Sequence, residues 1–157
     1  DERNIISGFA YQGVNCSGNG NVIQGNFIGT DGTGTQLLGN GTGVDVQGSD
    51  NLIKNNVISG GADGISIHGS DKVVSVGNKV EGNYIGTDVT GTTALRDASK
   101  YGYGVRIANN AVGNTIGGAD ASKRNYISGN GLGGIHLGKG RDQPRFQRPG
   151  SGGVQKL

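Results

Sequence analysis

Tryptophan and methionine are missing from these 157 residues, proline occurs twice, cysteine once, and aromatic residues make up only 5%. With 32% hydrophobic residues and almost no large rings, the chain cannot gather one broad core, so burial must come from many small, similar layers. The lone Cys16 excludes an intramolecular disulfide; it falls at an apolar position of a repeated phrase and reads as a buried, inert thiol. No apolar run is long enough for a membrane helix, and the Asp1 end carries no signal-peptide pattern. The missing Met at residue 1 points to a processed chain or an excised fragment.

Charge is also scarce and unevenly placed. Residues 139–157 hold five Lys/Arg against one Asp, whereas residues 1–138 hold nine against eleven, so the net charge of +2 belongs to the end of the chain. A nucleic-acid partner needs a basic stripe on a folded face, and none is visible. Neither nucleic acid nor a membrane is an expected partner.

Glycine, by contrast, occurs 34 times, without the strict three-residue period of collagen. Asparagine marks the repeat. The phrase Asn-x-Ile begins at Asn4, Asn26, Asn56, Asn83 and Asn125, most fully as Asn26-Phe27-Ile28-Gly29-Thr30-Asp31 and Asn83-Tyr84-Ile85-Gly86-Thr87-Asp88. Each is followed by Gly-apolar-x-apolar, beginning at Gly13, Gly43, Gly64, Gly104 and Gly134. A third phrase starts at Asn21, Asn51, Asn78 and Asn114.

Each phrase alternates with period two over three to five residues between Gly and Asn, which is the pattern of short strands joined by tight corners. A repeat of roughly 20 to 30 residues whose turns cannot bury an apolar face alone predicts an all-β solenoid, with successive turns paired in parallel about 4.8 Å apart. The first two phrases are 9, 17, 8, 21 and 9 residues apart, so extra length falls at Gly29–Asn40 and Gly86–Tyr103 and predicts two loops on one side.

The Asn-x-Ile, Ile-Gly-Thr-Asp and Gly-Ile-x-Leu phrases, spread over about residues 4–138, resemble the right-handed parallel β-helix repeat proteins. That group includes Gly/Asn-rich secreted bacterial surface proteins and carbohydrate-active enzymes. The resemblance implies a right-handed parallel β-helix of about five turns, on a protein that is secreted or held at the cell surface. The expected division is a repeat domain at 1–138 and a basic tail at 139–157. The tail carries Pro144 and Pro149 and no repeat phrase; it reads as disordered, as a cap, or as a truncated or expression-derived end.

Three groups of residues are candidates for function. If Val44 and Val46 point inward, one outward column holds Asn15, Asp45, Ser66, Arg106 and His136, and the next holds His68. Asp45, His68, Arg106 and His136 then share a face, where Arg106 suits a uronate carboxylate and a His or Asp an acid/base role. Glycoside hydrolysis by paired carboxylates is not provided for, because Asp45 has no carboxylate in its own or the adjacent column. Asp31 and Asp88 could offer oxygens to Ca²⁺, but their loops match no known Ca²⁺ spacing, and Asp and Thr also build turns by themselves. No metal or cofactor is therefore expected. The third group is the residue between Asn and Ile: Ile5, Phe27, Val57, Tyr84 and Tyr126. This outward apolar row calls for folded-back loops, a second copy, or sugar rings to cover it.

The expected role is a non-catalytic structural or binding module, self-associating as a dimer or end to end, or contacting polysaccharide. The alternative is a polysaccharide lyase, epimerase or hydrolase. The repeated Asn4, Asn26, Asn56, Asn83 and Asn125 are expected to stack inward, bonding from turn to turn.

Overall fold

The computed structural model describes residues 2–138 and 145–147. Its described residues are all strand, turn and one short 3-10 segment, Ala121–Lys123, with no α-helix among them. A first circuit carries β1 (Ile5–Ile6), β2 (Gln12–Cys16) and β3 (Val22–Gln24); a second carries β4 (Phe27–Ile28), β5 (Thr42–Val46) and β6 (Leu52–Lys54). The third has β7 (Val57–Ile58), β8 (Ile65–His68), β9 (Ser75–Val76) and β10 (Lys79–Glu81). The fourth has β11 (Tyr84–Ile85), β12 (Tyr103–Ala108), β13 (Ala111–Val112) and β14 (Thr115–Gly117). Finally come β15 (Tyr126–Ile127), β16 (Gly133–Leu137) and β17 (Arg145–Gln147).

These strands sort into three five-stranded sheets, ordered β1-β4-β7-β11-β15, β2-β5-β8-β12-β16 and β3-β6-β10-β14-β17, with β9 paired separately to β13. Pairing is parallel throughout the named strands, and among the described residues each sheet is open at both edges. Like residues meet like: Ile6, Ile28, Ile58, Ile85 and Ile127 are successive partners in the first sheet, and Val14, Val44, Ile65, Val105 and Ile135 in the second. The core is the stack of these columns with that of Ile53, Val80 and Ile116; Cys16 closes one end of the Val46–Ile67–Ile107 column, buried as its apolar position predicts.

Close approach explains why the second phrase opens on glycine. A Cβ on Gly43 would stand 2.4 Å from Gly64 O and 2.5 Å from Ile58 Cγ2, and one on Gly64 would meet Gly104 O and Ile85 Cγ2 at 2.6 Å. The isoleucine of the first phrase thus fills the space that a side chain at the second would need.

Asparagine organises the corners. Asn26, Asn56 and Asn83 each donate both backbone N–H and Nδ2–H to the Oδ1 of the next member, ending on Asn125, at 2.9 to 3.2 Å. The second Nδ2 proton reaches a strand carbonyl, as from Asn56 to Ile23 O and from Asn83 to Ile53 O, both at 2.9 Å. A second ladder of the same construction runs Asn21, Asn51, Asn78 and Asn114. The sequence displays its members as a phrase, but their side-chain role emerges only with the backbone. The residue before most ladder members is left-handed: Gly25, Asn55 and Gly82 in the first ladder, Gly20, Asp50, Gly77 and Gly113 in the second. A left-handed residue turns the chain sharply, and the amide that follows satisfies the backbone groups which the corner pulls out of register.

β17 pairs with β14, Thr115 opposite Arg145 and Gly117 opposite Gln147, so three residues of the expected tail add to the edge of the third sheet. The rest of the 139–157 segment lies outside the described residues, as do its expected disorder and truncation.

Candidate functional site

The outward column of the middle sheet forms in the expected register: Asn15 partners Asp45, Asp45 partners Ser66, Ser66 partners Arg106 and Arg106 partners His136. Its side chains do not converge on one point. His68 Nε2 lies 3.2 and 3.3 Å from the two Asp45 carboxylate oxygens, and its Nδ1 is 3.4 Å from Gly69 O. Arg106 turns the other way, with a guanidinium nitrogen 3.9 Å from Asp63 Oδ2. His136 stacks on Tyr103, ring centroids 4.5 Å apart and planes 20° from parallel. Ser66 is buried. Both His68 nitrogens face the Asp45 carboxylate and Gly69 O rather than Ser66.

Asp63 is the member of this face that the sequence does not announce. It lies in the corner before Gly64, where its Oδ1 accepts the Tyr103 N–H at 2.9 Å while Oδ2 faces Arg106. No repeat marks it, since its carboxylate's partners, Tyr103 and Arg106, are both on the next circuit, and only the Asp-Gly dipeptide hints at a corner. Arg106 therefore has a carboxylate beside it, and with Asp45 the face carries two. Each is already engaged by a cation or a histidine.

The two Gly-Thr-Asp loops are twins. Thr30 bridges Leu37 and Thr87 bridges Ala94, both antiparallel, closing each loop at its base. In the first, Asp31 Oδ1 accepts the Thr33 hydroxyl at 2.8 Å and the Thr35 and Gln36 amides at 3.2 and 3.1 Å; Asp88 does the same with Thr90, Thr92 and Thr93. Partial desolvation pushes both carboxyls up, but the combined donation from backbone and threonine outweighs it and holds both below the ordinary value of 3.8. A carboxylate oxygen committed to three donors is a turn anchor. Among the described residues no group of three or more His, Cys, Asp or Glu side chains is placed to hold a metal ion.

Those loops also settle what lies over much of the apolar row. The Gly34 tip rests on Phe27, where an added Cβ would come within 2.8 Å of the ring, and the Arg3 guanidinium caps the same ring at 4.1 Å from its centroid. Gly91 meets Tyr84 likewise. Val89 N–H donates to Gly34 O at 3.0 Å, so the loops of the second and fourth circuits join across the third. Phe27 and Val57 are consequently 4% exposed, whereas Ile5 and Tyr126, at the two ends of the row, are 55% and 45% exposed. Tyr84 stacks on Tyr126 at 4.9 Å. The row is therefore closed in its middle and open at its ends. Farther along the second loop, Lys100 Nζ donates to Asn40 O at 2.9 Å and Gly60 O at 3.4 Å, and lies 3.4 Å from Asp97 Oδ2, tying the fourth circuit to the second and third.

Among the described residues no helix is long and apolar enough to cross a membrane. Compared with protein-family models, curated proteins and solved structures, the chain matches none. Function must therefore be argued from the site alone.

Proposed function

We propose that the chain is a right-handed parallel β-helix of about five turns serving as a non-catalytic structural and binding module of a secreted or surface protein, where it contacts polysaccharide or copies of itself. The cyclic order in which the chain visits its three parallel sheets supports the coil, and the phrases that resemble β-helix repeats supply the handedness and the setting. The observation that carries the non-catalytic reading is the pairing on the outward face: Asp45 with His68, Asp63 with Arg106, and His136 with Tyr103. Each group with acid/base or electrophilic potential is engaged by a neighbour, and none is aimed at a common point where a reacting atom could sit. The module is read without a cofactor, and Ca²⁺ is not favoured, since Oδ1 of Asp31 and Oδ1 of Asp88 each accept three donors from their own loop.

The alternative, a lyase, epimerase or hydrolase acting through Arg106, His136, His68 and Asp45, draws support from the carboxylate of Asp63 beside Arg106. Incubation with uronate and neutral polysaccharides, followed by measurement of new reducing ends and unsaturated products, separates the two. The module reading expects no product, and expects migration of the chain in polysaccharide-containing gels to respond to Arg106→Ala, if at all, through retardation only. Product formation that Arg106→Ala abolishes would establish the enzyme and sink the module.

A further inference from the structure

One corner is longer than the repeat requires. From the glycine that opens the second phrase to the asparagine that opens the third is 8 residues in the first two circuits, 14 in the third (Gly64 to Asn78) and 10 in the fourth (Gly104 to Asn114). The added length makes the β9–β13 pair and a loop that runs from Gly69 to Val74 beside Asn109 and Asn110. Both asparagines are left-handed, at φ 50° and 57°, and two such residues in succession fold the chain back on itself, so that Asn109 O takes the Gly69 N–H and Asn110 O the Ser75 N–H. A Cβ on Gly69 would stand 2.4 Å from Val73 O and 2.8 Å from both Asn109 O and Asn110 O, so glycine there lets three carbonyls gather.

At this place a cleft of about 490 Å³ opens, lined by Gly69, Ser70, Asp71, Asn109 and Asn110. Its polar groups are mostly acceptors. The Asn110 Nδ2 is spent on Ser70 O at 3.0 Å, and the Ser70 N–H on Val73 O at 2.8 Å. Asp71 also differs from the other loop carboxylates. Asp31, Asp88, Asp97 and Asp120 accept donors from their own turns, whereas Asp71 is exposed and meets no donor or cation among the described residues.

We propose that this cleft binds a protonated primary amine carried on a sugar ring, which makes the polysaccharide partner of the module an amino-sugar polymer; the proposal rests on the polysaccharide-contacting reading and narrows it. An ammonium group brings one positive charge and three donors. The charge answers the single unpaired carboxylate of Asp71, and the donors suit the lone pairs that the Asn109 and Asn110 carbonyls retain after their backbone bonds. Size decides against a bare metal ion. Ca²⁺ asks for about six to eight oxygens at roughly 2.3–2.6 Å, which one carboxylate in an open cleft does not gather, whereas about 490 Å³ falls within the roughly 300–1,000 Å³ of sites for small organic ligands. Val73 and Val74 of the same loop are exposed and give the C–H face of a sugar ring an apolar rest. Lys72, between them and Asp71, is not among the lining residues.

Titration calorimetry of the full chain with a glucosamine oligomer, its fully N-acetylated counterpart and spermidine tests this. The glucosamine oligomer should bind, and N-acetylation, which removes the charge and all but one N–H, should weaken binding about tenfold or more, the worth of one hydrogen bond to a charged group. Asp71→Asn should weaken it as much and leave the melting temperature unchanged, because the carboxylate holds no part of the fold. Spermidine, which offers ammonium groups without a ring, should bind more weakly than the oligomer; equal binding that depends on Asp71 would overturn the sugar assignment. Equal binding of the N-acetylated oligomer, binding that Asp71→Asn leaves intact, or no binding of the glucosamine oligomer would overturn the site itself. A chain that ignored the glucosamine oligomer but was retarded in gels by another polysaccharide would lose this inference and keep the polysaccharide-contacting module, whereas a chain retarded by none would lose both.

Discussion

Two columns of polar residues run side by side through this molecule, and they obey opposite rules. At the inner corner Asn26, Asn56 and Asn83 are identical, buried, and bonded in the same way at every step. On the outward face Asn15, Asp45, Ser66, Arg106 and His136 occupy equivalent positions with five different residues, and each makes a local arrangement of its own. The difference teaches that recurrence of a polar residue in a stacked chain is a mark of structure. A corner imposes the same unsatisfied backbone groups on each circuit, so the same amide answers each time. A solvated face imposes nothing, and variation there is where a binding preference can reside.

The sharpest way to break the contrast is to disturb the corner. Gly29 combines a left-handed backbone, φ 81°, with a carbonyl so near that an added Cβ would stand 1.9 Å from Ser59 O. Gly29→Ala should cost about 3 kcal/mol or more in chemical denaturation, summing backbone strain and overpacking. Gly8 has the same φ of 81° with open space around its would-be Cβ, so Gly8→Ala should lose only about 1 kcal/mol. Equal losses at the two positions would show that the close stacking of circuits is not what the glycines serve.

Next in size is the ladder. Asn56→Leu keeps the side-chain size but strands the donors of Asn26 and the carbonyl of Ile23, leaving Asn83 Oδ1 with the backbone N–H alone, and should lower stability by about 1–3 kcal/mol. Asn4→Leu removes one end member, whose outer side has no partner among the described residues, and should cost less than half as much. Equal effects at the two sites would mean that the amides act singly and the ladder has no collective role.

The first ladder was legible in the sequence because a corner leaves the same need in every turn, and Asn-x-Ile recurs accordingly. The inward isoleucines and valines were legible for the same reason, as was the position of the two loops. What stayed hidden involves residues without repeats: Asp63 beside Arg106, Lys100 reaching Asn40, and the meeting of Val89 with Gly34 over the third circuit. These contacts join single residues across one or two circuits, so no period betrays them. The closing of the row over Phe27 and Val57 follows from the last of them, and alternation alone counted those two residues as surface.

Acid should loosen the loops before the ladders, which contain no titrating group. Asp31 and Asp88 have pKa values lowered from 3.8 in the folded chain, so the stability they contribute is complete above that value and is lost as pH falls through the still lower folded values. Melting followed from neutral pH downward should fall in this window, and the double variant Asp31→Asn with Asp88→Asn should melt lower at neutral pH with a shallower dependence on acid. A variant that kept the full slope would place the acid sensitivity elsewhere, with Asp97 and Asp120, whose carboxyls are lowered by serine donors, next to be tested.

The smallest effect belongs to the outward face, and it decides whether that face is as unconstrained as its variety suggests. Arg106 is 42% exposed in its side chain and stands 3.9 Å from Asp63, a loose pair in high dielectric, so Arg106→Ala should change stability by less than about 1 kcal/mol. Asp63→Ala removes the same ion pair but also the acceptor of the Tyr103 N–H, and should cost more, by about the 0.5–1.5 kcal/mol of one hydrogen bond. If the two variants cost the same, the ion pair itself fixes the corner, and the face is part of the scaffold. If Arg106→Ala is silent and Asp63→Ala is not, the guanidinium is held in place by the structure without being needed for it, which leaves Arg106 free to meet an anionic ligand.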